Sequence, residues 1–244
     1  MGAIPARYGS TRLPGKPLLP IAGRPMIEHV YTRVARARGL DRVVVLTDDE
    51  RIARAVDAFG GEWEMTPADC ASGTDRIAWA ASRWSARAVI NVQGDEPLID
   101  PEGVSRIAAH LAAAPEDPVV TLATPASPEE MENPNAVKVV LTRDGSALYF
   151  SRAPIPYPRQ YPGQDGGFAP LKHLGLYGYQ REALMRLAAL APTPLERSES
   201  LEQLRALENG IPIRVLVVDR GSFGVDTAED LERVESILQA SSRV

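Results

Sequence analysis

Residues 88–97 read Ala-Val-Ile-Asn-Val-Gln-Gly-Asp-Glu-Pro, a short apolar run that meets a glycine, two carboxylates and a proline without a break. An apolar run of this length bounded by turn residues reads as a buried strand. On either side the period changes: Asp75–Trp84 before it and Pro101–Ala114 after it have helical patterns. The same alternation extends back to the start of the chain. Ala3–Pro5 and Val43–Leu46 read as strands, with a helix between them that Pro25 opens, that Ile27, Val30, Tyr31 and Val34 give one apolar face, and that Gly39 stops. Glu50–Phe59 forms the next helix and closes at Gly60-Gly61. Strands and helices in strict alternation predict an α/β fold, a mostly parallel central sheet with helices on both faces.

The alternation breaks after the strand pattern Val119–Ala123. Two strand patterns, the first Val137–Leu141, flank Asp144-Gly145, a pair suited to a tight hairpin because both residues tolerate positive φ. With Leu174–Tyr179 as a further strand, an antiparallel insert is expected at about residues 124–180 of a single 244-residue domain. Pro154–Gly167 is rich in proline and glycine and reads as a loop suited to closing over a ligand. Leu195–Asn209 then reads as one helix and Ile213–Val218 as a strand. Thr227 caps a last helix, with Asp230 placed to complete a capping box.

Composition narrows the function. The formal charge is −5 and 44% of residues are apolar, which suits a soluble core and gives no broad basic field for nucleic acid. Phosphate binding must then be local. The one cysteine, Cys70, forms no internal disulfide and no thiolate zinc site, so a cytoplasmic setting is expected. No apolar run approaches the roughly 20 residues of a membrane helix, and no charged-then-apolar leader pattern opens the sequence.

Residues 5–17, Pro-Ala-Arg-Tyr-Gly-Ser-Thr-Arg-Leu-Pro-Gly-Lys-Pro, follow the first strand directly. Arg7, Arg12 and Lys16 with small and hydroxylated residues at a strand's carboxyl end suit a triphosphate, since open α/β sheets bind ligands there. A solvated basic turn is the plainer alternative. The stretch matches neither the Walker pattern nor Gly-x-Gly-x-x-Gly, which removes the main support for a dinucleotide dehydrogenase. Asp95 ends its strand opposite that turn, and Asp226 lies between the last strand and the last helix. Two such carboxylates can share one Mg²⁺ with phosphate oxygens. Alternatively Asp95 bonds its own backbone in a turn and Asp226 merely precedes the cap at Thr227.

The cation turn, Ser72-Gly73-Thr74-Asp75-Arg76, residues 92–97, residues 133–138 (Asn-Pro-Asn-Ala-Val-Lys), Leu148–Arg152, His173–Tyr179, Leu201–Arg205 and Val225-Asp226-Thr227 together resemble the 3-deoxy-manno-octulosonate (Kdo) cytidylyltransferase family, in order and over nearly the whole chain. The resemblance implies a nucleotide-diphospho-sugar transferase-like fold. It also implies transfer of CMP from CTP to the anomeric hydroxyl of Kdo, with release of pyrophosphate, for lipopolysaccharide biosynthesis, by a homodimer whose insert helps form the interface. On the same ground Arg7, Ser10, Arg12 and Lys16 meet the triphosphate, and Ser72, Thr74 and Arg76 lie near the nucleotide. Asp95 and Asp226 hold Mg²⁺, and Gln93, Arg152, His173, Tyr177, Glu202 and Gln203 contact the sugar acid. Two departures stand out: few apolar residues precede Ile4-Pro5, so the first strand is short, and Asp75 occupies a position where Glu is frequent.

The chemistry of the acceptor agrees. Kdo carries a carboxylate beside its reacting carbon, and Arg152 could grip it bidentately. A surface salt bridge is the alternative for Arg152; His173 is expected to hydrogen-bond rather than transfer protons. The expected reaction is an in-line attack on the α-phosphorus with no covalent intermediate, Arg12 and Lys16 neutralising the departing pyrophosphate. Three rivals remain open on sequence grounds: a cytidylyltransferase for sialic acid or 8-amino-Kdo, a glycosyltransferase of the related fold, and a silent CTP-binding module. The glycosyltransferase would normally carry Asp-x-Asp, where this chain has Asp95-Glu96.

Overall fold

The computed structural model describes residues 1–9, 13–157, 169–219, 221, 224–225 and 227–241. Its contacts divide the chain into two compact units, Met1–Ala109 with Ser222–Val244, and His110–Gly221.

The first unit opens with β1 (Gly2–Pro5), a single 3-10 turn at Lys16–Leu18, and the two-residue strands β2 (Pro20–Ile21) and β3 (Arg24–Pro25). Then come α1 (Met26–Val34), β4 (Val43–Thr47), α2 (Glu50–Ala58), β5 (Trp63–Met65), α3 (Gly73–Ala81), β6 (Ala88–Asn91) and α4 (Pro101–Ala113), whose end crosses into the second unit. Within this unit four strands lie in the order β6-β1-β4-β5 and pair in parallel, with Gly2 opposite Val43 on one side and Ile90 on the other and Val45 opposite Trp63, while β2 and β3 form a separate antiparallel ribbon. All five residues of β4 are buried. Successive side chains leave opposite faces of a strand, so both faces are covered, as an α/β sheet requires. Helix α1 buries Met26, Ile27, Val30 and Val34 and stops before Gly39, whose φ of 80° needs glycine.

The second unit contains β7 (Val119–Pro125), α5 (Pro128–Glu132), β8 (Lys138–Leu141), β9 (Ala147–Ser151), β10 (Leu171–Gln180), α6 (Arg181–Ala188), α7 (Pro194–Glu199), α8 (Gln203–Glu208) and β11 (Ile213–Val217). Here β7 is flanked by β11, parallel, and by β10, antiparallel; β8 runs antiparallel to both β10 and β9. The β8–β9 turn is the hairpin expected at Asp144-Gly145: Thr142 N donates to Ser146 O, and Gly145 adopts φ 87°. The register of β10 against β7 slips between Leu174 and Tyr177. Thr121 fills the irregularity, its hydroxyl donating toward the carbonyls of Leu174 (3.2 Å) and Leu176 (2.8 Å). A bulge of this kind re-aims the side chains beside it, and those are His173 and Tyr177.

One helix read from the sequence is two. Leu195–Asn209 divides into α7 and α8, because Ser200 turns into the left-handed region at φ 52° and Arg205 on α8 folds back to pair with Glu196 on α7. Glu202 therefore precedes α8 as its N-cap instead of lying within a helix. The chain then returns to the first unit as α9 (Ala228–Ser241), begun by the capping box read from the sequence: Asp230 N donates to Thr227 Oγ1, and Thr227 N to Asp230 Oδ2. Val225 and Val234 pack with Ile21 and Met26 in a small core that fastens this return segment to the β2–β3 ribbon.

Candidate active site

Within the first unit, the carboxyl ends of β1 and β6 and the start of α3 enclose a cleft of about 420 Å³. Four of the residues expected at the nucleotide, Arg7, Lys16, Ser72 and Arg76, line it together with Gln93 and Asp95. Gly15 makes the first corner. It sits at φ 69°, and its N–H donates to Tyr8 O at 3.1 Å, closing the turn that leads to Lys16. An added Cβ there would also meet the Tyr8 ring at 3.1 Å, and Arg51 stacks its guanidinium over that ring at 3.3 Å from the centroid. Ser10 and Arg12 lie outside the described residues.

Lys16 reaches across the cleft to Asp95, Nζ to Oδ2 at 2.6 Å, with the lysine side chain 12% and the aspartate side chain 38% exposed. The triphosphate cation and the metal carboxylate read from the sequence thus face each other directly. Gly94 permits the approach, since a Cβ on it would come within 2.9 Å of the Pro5 carbonyl oxygen. Helix α3 opens at Ser72, whose hydroxyl accepts from Asp75 N while Asp75 Oδ2 accepts from Ser72 N and Ser72 Oγ, each at about 3 Å. Asp75 is thereby occupied with the cap. Ser72 and Gly73, at the amino end of α3, face the cleft, where a helix favours negative charge. Thr74 is buried and is not part of the described lining.

Arg76 is only 3% exposed, and its guanidinium donates to Asp48 Oδ2 at 2.8 Å, to Pro67 O and to Thr66 Oγ1. Asp48 was missed by sequence reasoning. The signal existed: Asp48-Asp49 follow β4 as Asp95 follows β6, and the rule that strand-end carboxylates mark ligand sites applies to both.

The other residues expected at the sugar belong to the second unit. His173, Tyr177 and Phe150 form an aromatic cluster, with centroid distances of 4.9 Å for Phe150–His173 and 5.3 Å for His173–Tyr177. His173 Nε2 lies 2.9 Å from the hydroxyl of Thr121. As a residue His173 is only partly buried, but its polar edge faces the fully buried Thr121, and burial pushes its pKa down to about 3. The neutral ring can hydrogen-bond but cannot serve as a proton store near neutrality. Burial, with Tyr179 and Glu202 close by, raises the Tyr177 phenol well above its ordinary value. The Tyr177 hydroxyl is enclosed and has no hydrogen-bond partner among the described residues. Arg152 donates through Nε to Glu199 O at 2.7 Å and through its terminal nitrogens to Pro134 O and Ser200 O. It forms no ion pair among the described residues; these carbonyls take the place of the surface carboxylate considered above. Gln203 opens α8 directly after Glu202.

For Mg²⁺, the described residues contain no cluster of three or more His, Cys, Asp or Glu. Asp226 lies outside them. Its chain neighbour Val225 donates its N–H to the Asp95 carbonyl at 2.9 Å. Two carboxylates with phosphate oxygens as further ligands are an oxygen-only set fit for a hard cation.

The Cytidylyltransferase family profile matches residues 1–215. A 3-deoxy-manno-octulosonate cytidylyltransferase of Syntrophotalea carbinolica is 54% identical over 242 residues, covering 97% of each chain. One of the same name from Geobacter sulfurreducens is 52% identical, over 95% of this chain and 96% of its own. Among solved structures, that of CMP:2-keto-3-deoxy-manno-octonic acid synthetase complexed with CTP superposes with a TM-score of 0.93 at 45% identity, over 98% of both chains.

Proposed function

The chain belongs to the 3-deoxy-manno-octulosonate cytidylyltransferase family, and from that premise we propose how its residues transfer CMP from CTP to Kdo with release of pyrophosphate. The observation that carries the reading is the cleft in which Arg7 and Lys16 from one strand end face Asp95 from another, beside the amino end of α3.

Arg7, Ser10, Arg12 and Lys16 bind the triphosphate, and Lys16 follows the charge that builds on pyrophosphate as it leaves. Ser72 and the start of α3 hold the nucleotide, with Thr74 shaping the helix behind it. Arg76 keeps its orientation through Asp48 and Thr66. Asp95 and Asp226 would hold Mg²⁺, which when bound supplies positive charge to the α-phosphate and lowers the pKa of the attacking hydroxyl. Lys16 and Asp95, now partners, each then serve an opposite charge of the bound nucleotide.

On the sugar side Arg152 meets the carboxylate, and Gln93, His173, Tyr177, Glu202 and Gln203 meet the hydroxyls. The enclosed, unpartnered Tyr177 hydroxyl supports this assignment, because a buried phenol without a partner costs about 1–3 kcal/mol that a polyhydroxylated ligand removes. His173 acts here as a neutral hydrogen-bonding ring. Attack is in line, and alignment with charge stabilisation supplies the catalysis.

The product serves lipopolysaccharide biosynthesis in the cytoplasm. The absence, among the described residues, of any helix long and apolar enough to cross a membrane is compatible with that location. The protein works as a homodimer; Leu148, 59% exposed on β9, is an apolar surface of the kind a second copy would cover. Light scattering tests the dimer. The reaction is tested by pyrophosphate release with CTP, Mg²⁺ and Kdo, with sialic acid and 8-amino-Kdo as alternative acceptors and UTP and ATP as alternative donors. Release only with CTP and Kdo is the expected result, and release of nucleoside diphosphate from a sugar nucleotide instead would overturn it.

A further inference from the structure

Lys138, on β8, is fully buried, a rare position for a lysine, and the reaction above makes no use of it. Its ammonium donates to three backbone carbonyls, those of Asn133 (2.9 Å), Ala136 (2.7 Å) and Arg152 (2.6 Å). The amide on the other side of Arg152 is held by the opposite charge: Arg152 N donates to Glu199 Oε2 at 2.9 Å, while Glu199 Oε1 accepts from Ser151 Oγ at 2.6 Å. The arginine's own guanidinium closes the arrangement, because Pro134 O, one of its acceptors, lies in the 133–136 loop that Lys138 pins from within. Hydrophobic residues would fill this space with less desolvation cost, so a buried ammonium marks a place where direction matters.

We propose that Lys138 and Glu199 are positioning residues for the sugar acid: a cation on the carbonyl and an anion on the amide of Arg152 fix its backbone, so that its guanidinium is presented to the substrate carboxylate in one orientation. The inference rests on the assignment of Arg152 to that carboxylate. A bidentate grip tolerates only small errors of angle, and a support that loosens by about 1 Å weakens binding of the group it holds without touching the other substrate.

The test compares Arg152→Ala, Lys138→Met and Glu199→Gln in the full-length enzyme, with KM for Kdo and for CTP and the thermal midpoint measured for each. Lys138→Met is expected to raise the Kdo KM about tenfold and Glu199→Gln about threefold, with the CTP KM unchanged. A merely structural role would lower the midpoint and the active fraction and leave both KM values in place. If Arg152→Ala raises the Kdo KM and a folded Lys138→Met does not, the positioning role is wrong while the sugar assignment stands. If Arg152→Ala itself leaves the Kdo KM unchanged, the assignment fails and takes the inference with it. Should Lys138→Met not fold, Glu199→Gln decides: a raised Kdo KM with normal CTP KM supports the role, and an unchanged one overturns it.

Discussion

In the cleft of the first unit Lys16 faces Asp95 and Arg76 faces Asp48, side chain against side chain, whereas in the second unit Lys138 and Arg152 direct their donors at backbone carbonyls. The two arrangements differ in what a ligand can displace. A part-exposed ion pair such as Lys16–Asp95 contributes about 0–1 kcal/mol, so a triphosphate with its cation can replace both halves. Carbonyls of a folded loop cannot leave. On the site assignment proposed above, the Lys16–Asp95 pair is the one that exchanges charges with the triphosphate and its cation, while the frame around Arg152 stays fixed under a singly charged sugar acid.

The sharpest break in that comparison would come from Asp95→Asn, which keeps the shape of the cleft and removes the exchangeable anion. Turnover is expected to fall by about 10²–10³-fold with the CTP KM little changed; unchanged kcat would remove the metal assignment. Arg152→Ala should raise the Kdo KM by about 10–100-fold, as loss of a charge-assisted bidentate contact does, and leave the CTP KM alone.

The pH dependence of stability separates the frame from the cleft more finely. His173 has its folded pKa lowered to about 3 from an ordinary 6.5. The unfolded chain therefore takes up a proton that the folded chain refuses as pH falls below 6.5. Stability from this group is complete above that value and is lost on acidification toward 3, at up to about 1.4 kcal/mol per pH unit. Urea midpoints at pH 7 and pH 5 should fall further apart for the parent than for His173→Gln, and equal gaps would exclude the mechanism. The smallest effect is expected at Ser200, whose φ of 52° carries the chain from α7 to α8. Ser200→Gly should raise stability by about 1 kcal/mol, since glycine has no side chain to strain there, and a lowered melting temperature would count against it.

Where local chemistry decides, the sequence was readable. Asp144-Gly145 specified its hairpin, Thr227 and Asp230 their capping box, and the basic run after β1 and the acidic run after β6 marked the rims of the cleft. Where distant residues decide, it was not. Nothing in Glu196–Arg205 breaks a helix, because the break is made by Arg205 returning to Glu196 and by Arg152 drawing on the carbonyls of Glu199 and Ser200. A lysine in a strand pattern gives no sign that three carbonyls wait for it. Strand β5 has only three residues, too few to show a period. Asp95 and Lys16 were each identified, but their contact joins positions 79 residues apart.

Gly94 carries a last implication. Because even one carbon there would press within 2.9 Å of the Pro5 oxygen, the gap between the two walls is fixed by bare main chain, with no rotamer available to take up slack. Mutation of side chains elsewhere can recolour this groove with new charges or hydroxyls, but any larger residue at position 94 acts as a wedge between its two banks.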